Sequence, residues 1–373
     1  MRCLYYCTTP LQVMIAINMH YNQVLAHGYR KSKADVIQAD IIIVDIFRNA
    51  KSIGDNLSDL GIFDQVYIIS EEDHKQHKNG VKKIFGIAYD TLFPKRLLRQ
   101  QFDRNSVEFL KNAYSVIVSS VFSHSVAALI TMNRKAAYVM MDDGLASYFG
   151  DWTKRIRSSG YLALLKYRNF GVDISKPEAL YVMRSDMCKS TLCNEIVQLP
   201  EFSASLLELY RKIFGFSRDR LNHLNSIIWL TQPSKTDSQK EVANNIYKCL
   251  LKHKENVSVR IHPREKSERS YNDFNIDKDE TLWEIKLIDI NIESSLLITL
   301  NSTAVMTPKL LYDKEPWVIF AYRLVGNRPS EQFEQVIDQL IESYADKRRI
   351  CIAKDWEQFQ RFVDFYSETQ GGE

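Results

Sequence analysis

The sequence lacks any uncharged apolar run near the roughly 20 residues that span a bilayer, so membrane contact, if any, would be peripheral. It has no concentrated excess of one charge. Its 49 Lys and Arg against 46 Asp and Glu leave a formal charge of +3, far from the basic surfeit of a dedicated nucleic-acid binder. It has no CxxC pair and no Cys/His cluster at metal-ligand spacing: Cys3, Cys7, Cys188, Cys193, Cys249 and Cys351 are scattered, as in a cytosolic protein with reduced thiols. The opening MRCLYYCTTPLQVMIAI has an apolar tract broken by Thr8, Thr9, Pro10 and Gln12, which argues against a signal peptide. Internal repeats and low-complexity segments are missing too.

What the chain does have is length and alternation. Its 373 residues, 45% of them hydrophobic, suffice for two cores, because single domains usually stop growing near about 250 residues. Apolar or β-branched runs at 3–7, 41–46, 65–69, 115–119 and 137–141 predict strands. Helical spacing at 10–25, 103–112 and 123–132 predicts crossovers between them. A second such rhythm predicts strands at 226–230, 257–261, 296–300 and 317–320, with helices at 238–252 and 304–312. A terminal helix over 355–366 would bury Trp356, Phe359, Phe362, Val363 and Tyr366. The reading is α/β with mostly parallel sheets: one domain over 1–200, a second over 220–350, and a tail over 351–373 that packs back on the body. The stretch from Lys154 to Arg168 carries Arg155, Arg157 and Lys166 without a balancing acid, which fits a solvated or ligand-facing segment, or contact with an anionic membrane.

In open parallel sheets ligands bind beyond the carboxyl ends of the strands, so polar residues that follow strands carry the chemistry. Asp142-Asp143-Gly144 follows AAYVMM; either acid is a candidate general base, and the bland reading is a solvated turn. His262-Pro263-Arg264-Glu265 follows VSVRI, where imidazole and guanidinium suit a phosphate leaving group. Asn301-Ser302-Thr303 follows LLITL and opens a predicted helix, which reads as an anion site or as simple N-capping. Thr231 and Gln232 follow SIIWL. Glu284 could bridge ribose hydroxyls, or be an ordinary surface acid. Asp277-Lys278-Asp279 has the DxD spacing of metal-dependent sugar transferases, but its polar surroundings assign it to solvent. His124 and His223 show no partner spacing.

Taken together, Cys7-Thr8-Thr9-Pro10-Leu11-Gln12, Asp142-Asp143-Gly144, His262-Pro263 and Ser302-Thr303 resemble, in order and spacing, the motifs of the bacterial sialyltransferases of glycosyltransferase family 52. The resemblance implies a GT-B fold, two Rossmann-like domains facing a central cleft. It implies an inverting, metal-independent transfer of sialic acid from CMP-sialic acid to a galactose-type hydroxyl of a surface glycan, lipopolysaccharide or capsule. Asp143 or Asp142 would then be the base, and His262 would assist departure of CMP. Pro263, Arg264, Asn301, Ser302, Thr303, Thr231 and Gln232 would surround the donor, and Glu284 has the spacing of the family's ribose-binding glutamate. One segment departs from the pattern. Where the family carries a base after the first strand of the second domain, this chain reads Ser234-Lys235-Thr236-Asp237, so the base stays open between Asp143 and Asp237. The expected setting is cytoplasmic, with no cofactor, at or near the inner face of the membrane, and a homodimer is compatible. The alternatives are a transferase of another nucleotide-sugar donor, such as a glucosyl transferase, and a non-catalytic glycan or nucleotide-sugar binding protein.

Overall fold

The computed structural model describes residues 1–25, 37–70, 95, 98–99, 108–120, 124–151, 177–216, 224–234, 236–262, 265, 271–279, 281–326 and 331–370. The chain divides into two compact units, Met1–Gly215 and Phe216–Glu373. The first therefore runs past the expected boundary at 200, because a helix over Ala204–Ile213 belongs to it. Tyr210 of that helix is fully buried and donates its hydroxyl to the Met14 carbonyl at 2.8 Å.

The first unit is built on β1 (Arg2–Cys7), α1 (Pro10–Tyr21), β2 (Gln38–Val44), α2 (Ala50–Asp59), β3 (Gln65–Ile69), β4 (Val116–Ser119), α3 (His124–Met132), β5 (Ala137–Met141), α4 (Leu145–Phe149), β6 (Ala179–Val182), β7 (Glu195–Gln198) and α5, the helix just named. Its strands are all parallel in the order β3-β2-β1-β4-β5-β6-β7. Strands covered on both faces read as unbroken apolar runs rather than alternations. That is why Ile41, Ile42, Ile43 and Val44 are all buried. Helix α1 starts where Thr9 accepts the Gln12 N–H at 3.3 Å and Pro10 supplies a pre-set φ. It is buried on nearly every side, including Gln12 and Asn18.

The second unit comprises β8 (Ile227–Leu230), α6 (Asp237–Leu250), β9 (Val257–Arg260), β10 (Asn275–Ile276), α7 (Trp283–Asp289), β11 (Leu296–Thr299), α8 (Thr307–Tyr312), β12 (Trp317–Phe320), α9 (Glu331–Ser343), β13 (Ile350–Ile352) and α10 (Trp356–Gln370). Its parallel order is β10-β9-β8-β11-β12-β13. Both sheets thus start centrally, wind outward one way and reverse, between β1 and β4 and between β8 and β11. This is the doubly wound order whose reversal point opens a crevice at the strands' carboxyl ends. The tail is part of this unit: β13 pairs with β12, and Phe359, Val363 and Tyr366 of α10 enter the same core as Trp229, Ile246 and Leu296. The expected helix over 103–112 is described only from residue 108, where Glu108–Lys111 forms a single 3-10 turn.

Candidate functional site

The second unit holds a cavity of about 310 Å³ at its reversal point. Thr231, Gln232 and Ser234 reach it from the end of β8, His262 from the end of β9 and Asn301 from the end of β11. Trp229, Ile246 and Tyr271 give it an apolar and aromatic floor. Thr231 organises this edge. Its N–H donates to the Arg260 carbonyl at 3.1 Å, its Oγ1 accepts the His262 N–H at 3.0 Å, and its hydroxyl donates to Glu265 Oε2. The other oxygen of Glu265 accepts the Tyr271 hydroxyl at 2.7 Å. A chain of hydroxyl, carboxylate and phenol therefore fixes the backbone from which His262 projects. Gln232 ties β8 to β11 by accepting the Asn301 N–H at 2.8 Å.

The turn after Asn301 differs from expectation. Thr303–Val305 is one 3-10 turn, not the start of a long helix, and α8 follows it with six residues. The amides that would face an anion are used internally: Asn301 N–H by Gln232, Ser302 N–H by Thr299 Oγ1 at 3.1 Å, and Ala304 N–H by Ser302 Oγ at 3.3 Å. The capping reading of Ser302 holds, and three amides of this turn are taken by the chain itself. The Ser302 hydroxyl, while accepting, keeps its own proton to donate.

Of the two readings of Glu284, a ribose-bridging carboxylate or an ordinary surface acid, its burial removes the second. It lies in the first turn of α7, its Oε2 is buried without a hydrogen-bond partner among the described residues, and burial raises its carboxyl pKa, opposed by the Arg260 charge. Trp283 beside it donates Nε1–H to the Ala304 carbonyl at 2.9 Å, under the Arg260 guanidinium 5.5 Å from the ring centroid. Glu284 is thus anchored next to the Ser302–Ala304 turn. A buried acceptor left unsatisfied is uncommon and calls for a donor. Glu284, Ser302 and Thr303 do not line the cavity itself.

The two acids of Asp277-Lys278-Asp279 are not solvated, though Lys278 between them is exposed. The Asp277 side chain is fully buried between Arg260 at 2.5 Å and the fully buried Lys286 at 2.7 Å, and Lys286 also pairs with Asp279 at 3.2 Å. Burial opposes ionisation of Asp279, but hydrogen bonds from Thr281 and the Lys286 charge hold its carboxyl below the ordinary range. Cations of the chain itself occupy these carboxylates, which fasten β9 to α7. No group of three or more His, Cys, Asp or Glu that could hold a metal occurs among the described residues.

In the first unit, Asp142-Asp143-Gly144 follows β5 as expected, with Gly144 at φ +81°, a conformation that favours glycine. The two acids differ. Asp142 is 3% exposed, and its oxygens accept from Gly144 N–H at 2.8 Å, Tyr148 O–H at 2.8 Å and Met183 N–H at 3.2 Å. Burial pushes its carboxyl up to about 6, against those hydrogen bonds. Asp143 is only half-buried; its N–H donates to Ser147 Oγ at 2.8 Å, and its Oδ1 accepts Gln12 Nε2–H at 2.8 Å. Asp142 is enclosed, and Asp143 is the more accessible of the two acids.

Asp237 is the first residue of α6, where Thr236 and Gln239 form a capping box. Its side chain is 98% exposed and pairs with Lys240 at 2.9 Å, whose hydrogen bond and charge lower its pKa. It does not line the cavity. Pro263, Arg264, Lys235, His223 and the basic stretch from Lys154 to Arg168 lie outside the described residues, as does the side chain of His124. Sequence reasoning missed Tyr271 as part of the site, and it quoted Glu265 and Gln12 within motifs without giving either a role.

No family model matches the chain, and no curated protein matches it. Solved structures do. A kitacinnamycin glycotransferase aligns with TM-score 0.52 and 9% identity over 98% of this chain and 90% of that one. CalG4, the calicheamicin glycosyltransferase, gives 0.50 at 9% over 98% and 89%. A sialyltransferase from Photobacterium damsela gives 0.48 at 14% over 94% and 81%. At such identities the likeness is one of fold: two α/β units with parallel sheets, of GT-B type.

Proposed function

We propose that the protein is an inverting glycosyltransferase that moves sialic acid from CMP-sialic acid to a galactose-type hydroxyl, as the family 52 motifs suggest. The observation that carries the donor half is the cavity at the reversal point of the second sheet. It gathers His262, Thr231, Gln232 and Asn301, while an unsatisfied buried Glu284 carboxylate stands beside the Ser302–Ala304 turn. A carboxylate with one oxygen unfilled suits a ribose hydroxyl, and hydroxyls with protons to give suit a phosphate. The leaving nucleotide carries one phosphate, so His262, Ser302 and Thr303 can meet its charge without a divalent ion.

The acceptor oxygen attacks the anomeric carbon as the bond to the phosphate oxygen breaks, and CMP leaves with that electron pair. The acceptor's proton passes to Asp143. Attack opposite the leaving group inverts the centre, and His262 donates a hydrogen bond or proton to the departing phosphate. Incubation with CMP-sialic acid and a panel of galactosides, read by mass spectrometry with and without EDTA, is the test. Sialylated product that survives EDTA is expected. Product only from another nucleotide sugar would replace the donor, and a donor bound but never consumed would replace the enzyme with a binding protein.

A further inference from the structure

We propose that Gln12 is a positioning residue for Asp143, orienting its carboxylate for proton transfer; this rests on the reading of Asp143 as the base. Gln12 is fully buried at the third position of α1. A buried amide must find partners for both its oxygen and its NH2 group. The Oε1 atom faces the Thr8 N–H at 2.6 Å and the Thr8 hydroxyl at 3.2 Å. A backbone N–H can only donate, so the oxygen belongs on the Thr8 side and the NH2 group points to Asp143 Oδ1, 2.8 Å away. The amide is therefore locked in one orientation by the end of β1 and presents a proton to the acid that follows β5, 131 residues later.

The backbone prepares this contact. Thr9 caps α1 and Pro10 fixes its first turn, so residue 12 is held at the carboxyl edge of the sheet. The Asp143 N–H is held separately by Ser147 Oγ. With main chain and one carboxylate oxygen both fixed, the side chain does not have to be reoriented when an acceptor hydroxyl arrives. The hydrogen bond also favours the ionised form that a base requires. The Thr-Pro-Leu-Gln and Asp-Asp-Gly segments, distant in sequence, thus form one device.

Gln12→Glu and Gln12→Met test this against a merely structural role. Glu keeps the length and the acceptor for Thr8 but sets a like charge against Asp143. Its acid limb in the pH–rate profile should move up by about one pH unit or more, with turnover returning as pH rises. Met keeps bulk and removes the donor, so kcat should fall by roughly tenfold to a hundredfold, with KM for the nucleotide sugar within about twofold because that site lies in the other unit. The 13C resonance of the Asp143 carboxyl, assigned by its loss in Asp143→Asn, gives a readout independent of activity. Its titration midpoint should rise in both variants. An unmoved titration, or an active wild type whose two variants keep its kcat and pH profile, overturns the proposal. If the wild type transfers no sialic acid yet the Asp143 titration still moves, the sialyl reading falls and the coupling of Gln12 to Asp143 stands.

Discussion

The turn after β5 and the turns after β8, β9 and β11 occupy equivalent places, the carboxyl ends of parallel strands, yet their chemistry is opposite. After β5 the chain aims its donors at two acids: Tyr148, Met183 and Gly144 at Asp142, and Gln12 at Asp143. At the second unit's reversal point it leaves a cavity, and Glu284 keeps an acceptor unfilled nearby. A proton acceptor must be held in one geometry before the reaction, whereas a ligand site must keep some of its partners for the ligand. On the proposed reading, one edge is finished by the protein, and the other is completed by the donor.

The largest expected effect concerns what supports the ligand side. Asp277→Ala would leave the buried Lys286 and the Arg260 guanidinium without their shared carboxylate, and removing one partner of a buried pair costs about 3–5 kcal/mol. Urea unfolding followed by tryptophan fluorescence checks this, because Trp229, Trp283, Trp317 and Trp356, four of the five tryptophans, lie in the second unit. Adding Lys286→Met should recover part of the loss. A single variant as stable as the wild type would mean that the cluster does not fasten β9 to α7.

The acid side is next. Asp143→Asn keeps shape and removes basicity, so turnover should fall by roughly 100-fold or more while CMP affinity measured by calorimetry holds. Asp142, its neighbour, should act on stability instead. Its folded carboxyl is raised from 3.8 to about 6, so the folded protein retains a proton that the unfolded chain gives up. The stability from that group is present in full below about pH 3.8 and is lost as pH rises through about 6. Asp142→Asn should remove a pH-dependent component on the order of 2–3 kcal/mol across that window. If thermal melts of wild type and variant keep a constant difference from pH 4 to 7, the carboxyl does not carry that proton.

Much of this contrast was legible in the chain. Runs such as 137–141 and 317–320 coincide with strands because a strand buried on both faces has no polar interruption. His262 and Asn301 were singled out by their position after predicted strands, and both line the cavity, since residues after parallel strands share one edge. Strands β6, β7, β10 and β13 were missed: they are two to four residues long, and β7 has exposed Glu195 and Gln198 at its ends. The burial of Asp277 was hidden because its partners, Arg260 and Lys286, come from a different strand and helix. No local pattern marks a loop acid whose charge is cancelled at a distance. The same holds for Gln12 and Asp143, and for Tyr271, which joins Thr231 through Glu265.

The smallest expected effect is at Asp237, and it sharpens the comparison because the family pattern makes that residue the rival base. In sequence it follows a strand of the second unit much as Asp143 follows one of the first. In structure it is a helix-start residue: Thr236 caps α6, and Asp237 sits at its first position, where a negative charge complements the helix dipole. Its side chain is 98% exposed and paired with Lys240. Solvent screens such a pair, nothing among the described residues buries it, and the neighbouring lysine lowers its pKa, which weakens it as a base. Asp237→Asn should therefore keep turnover within about twofold of wild type and leave the pH–rate profile in place. If the loss at Asp237 instead equals or exceeds that of Asp143→Asn in a folded protein, the base lies in the second unit, and the enclosed acid turn after β5 is structural.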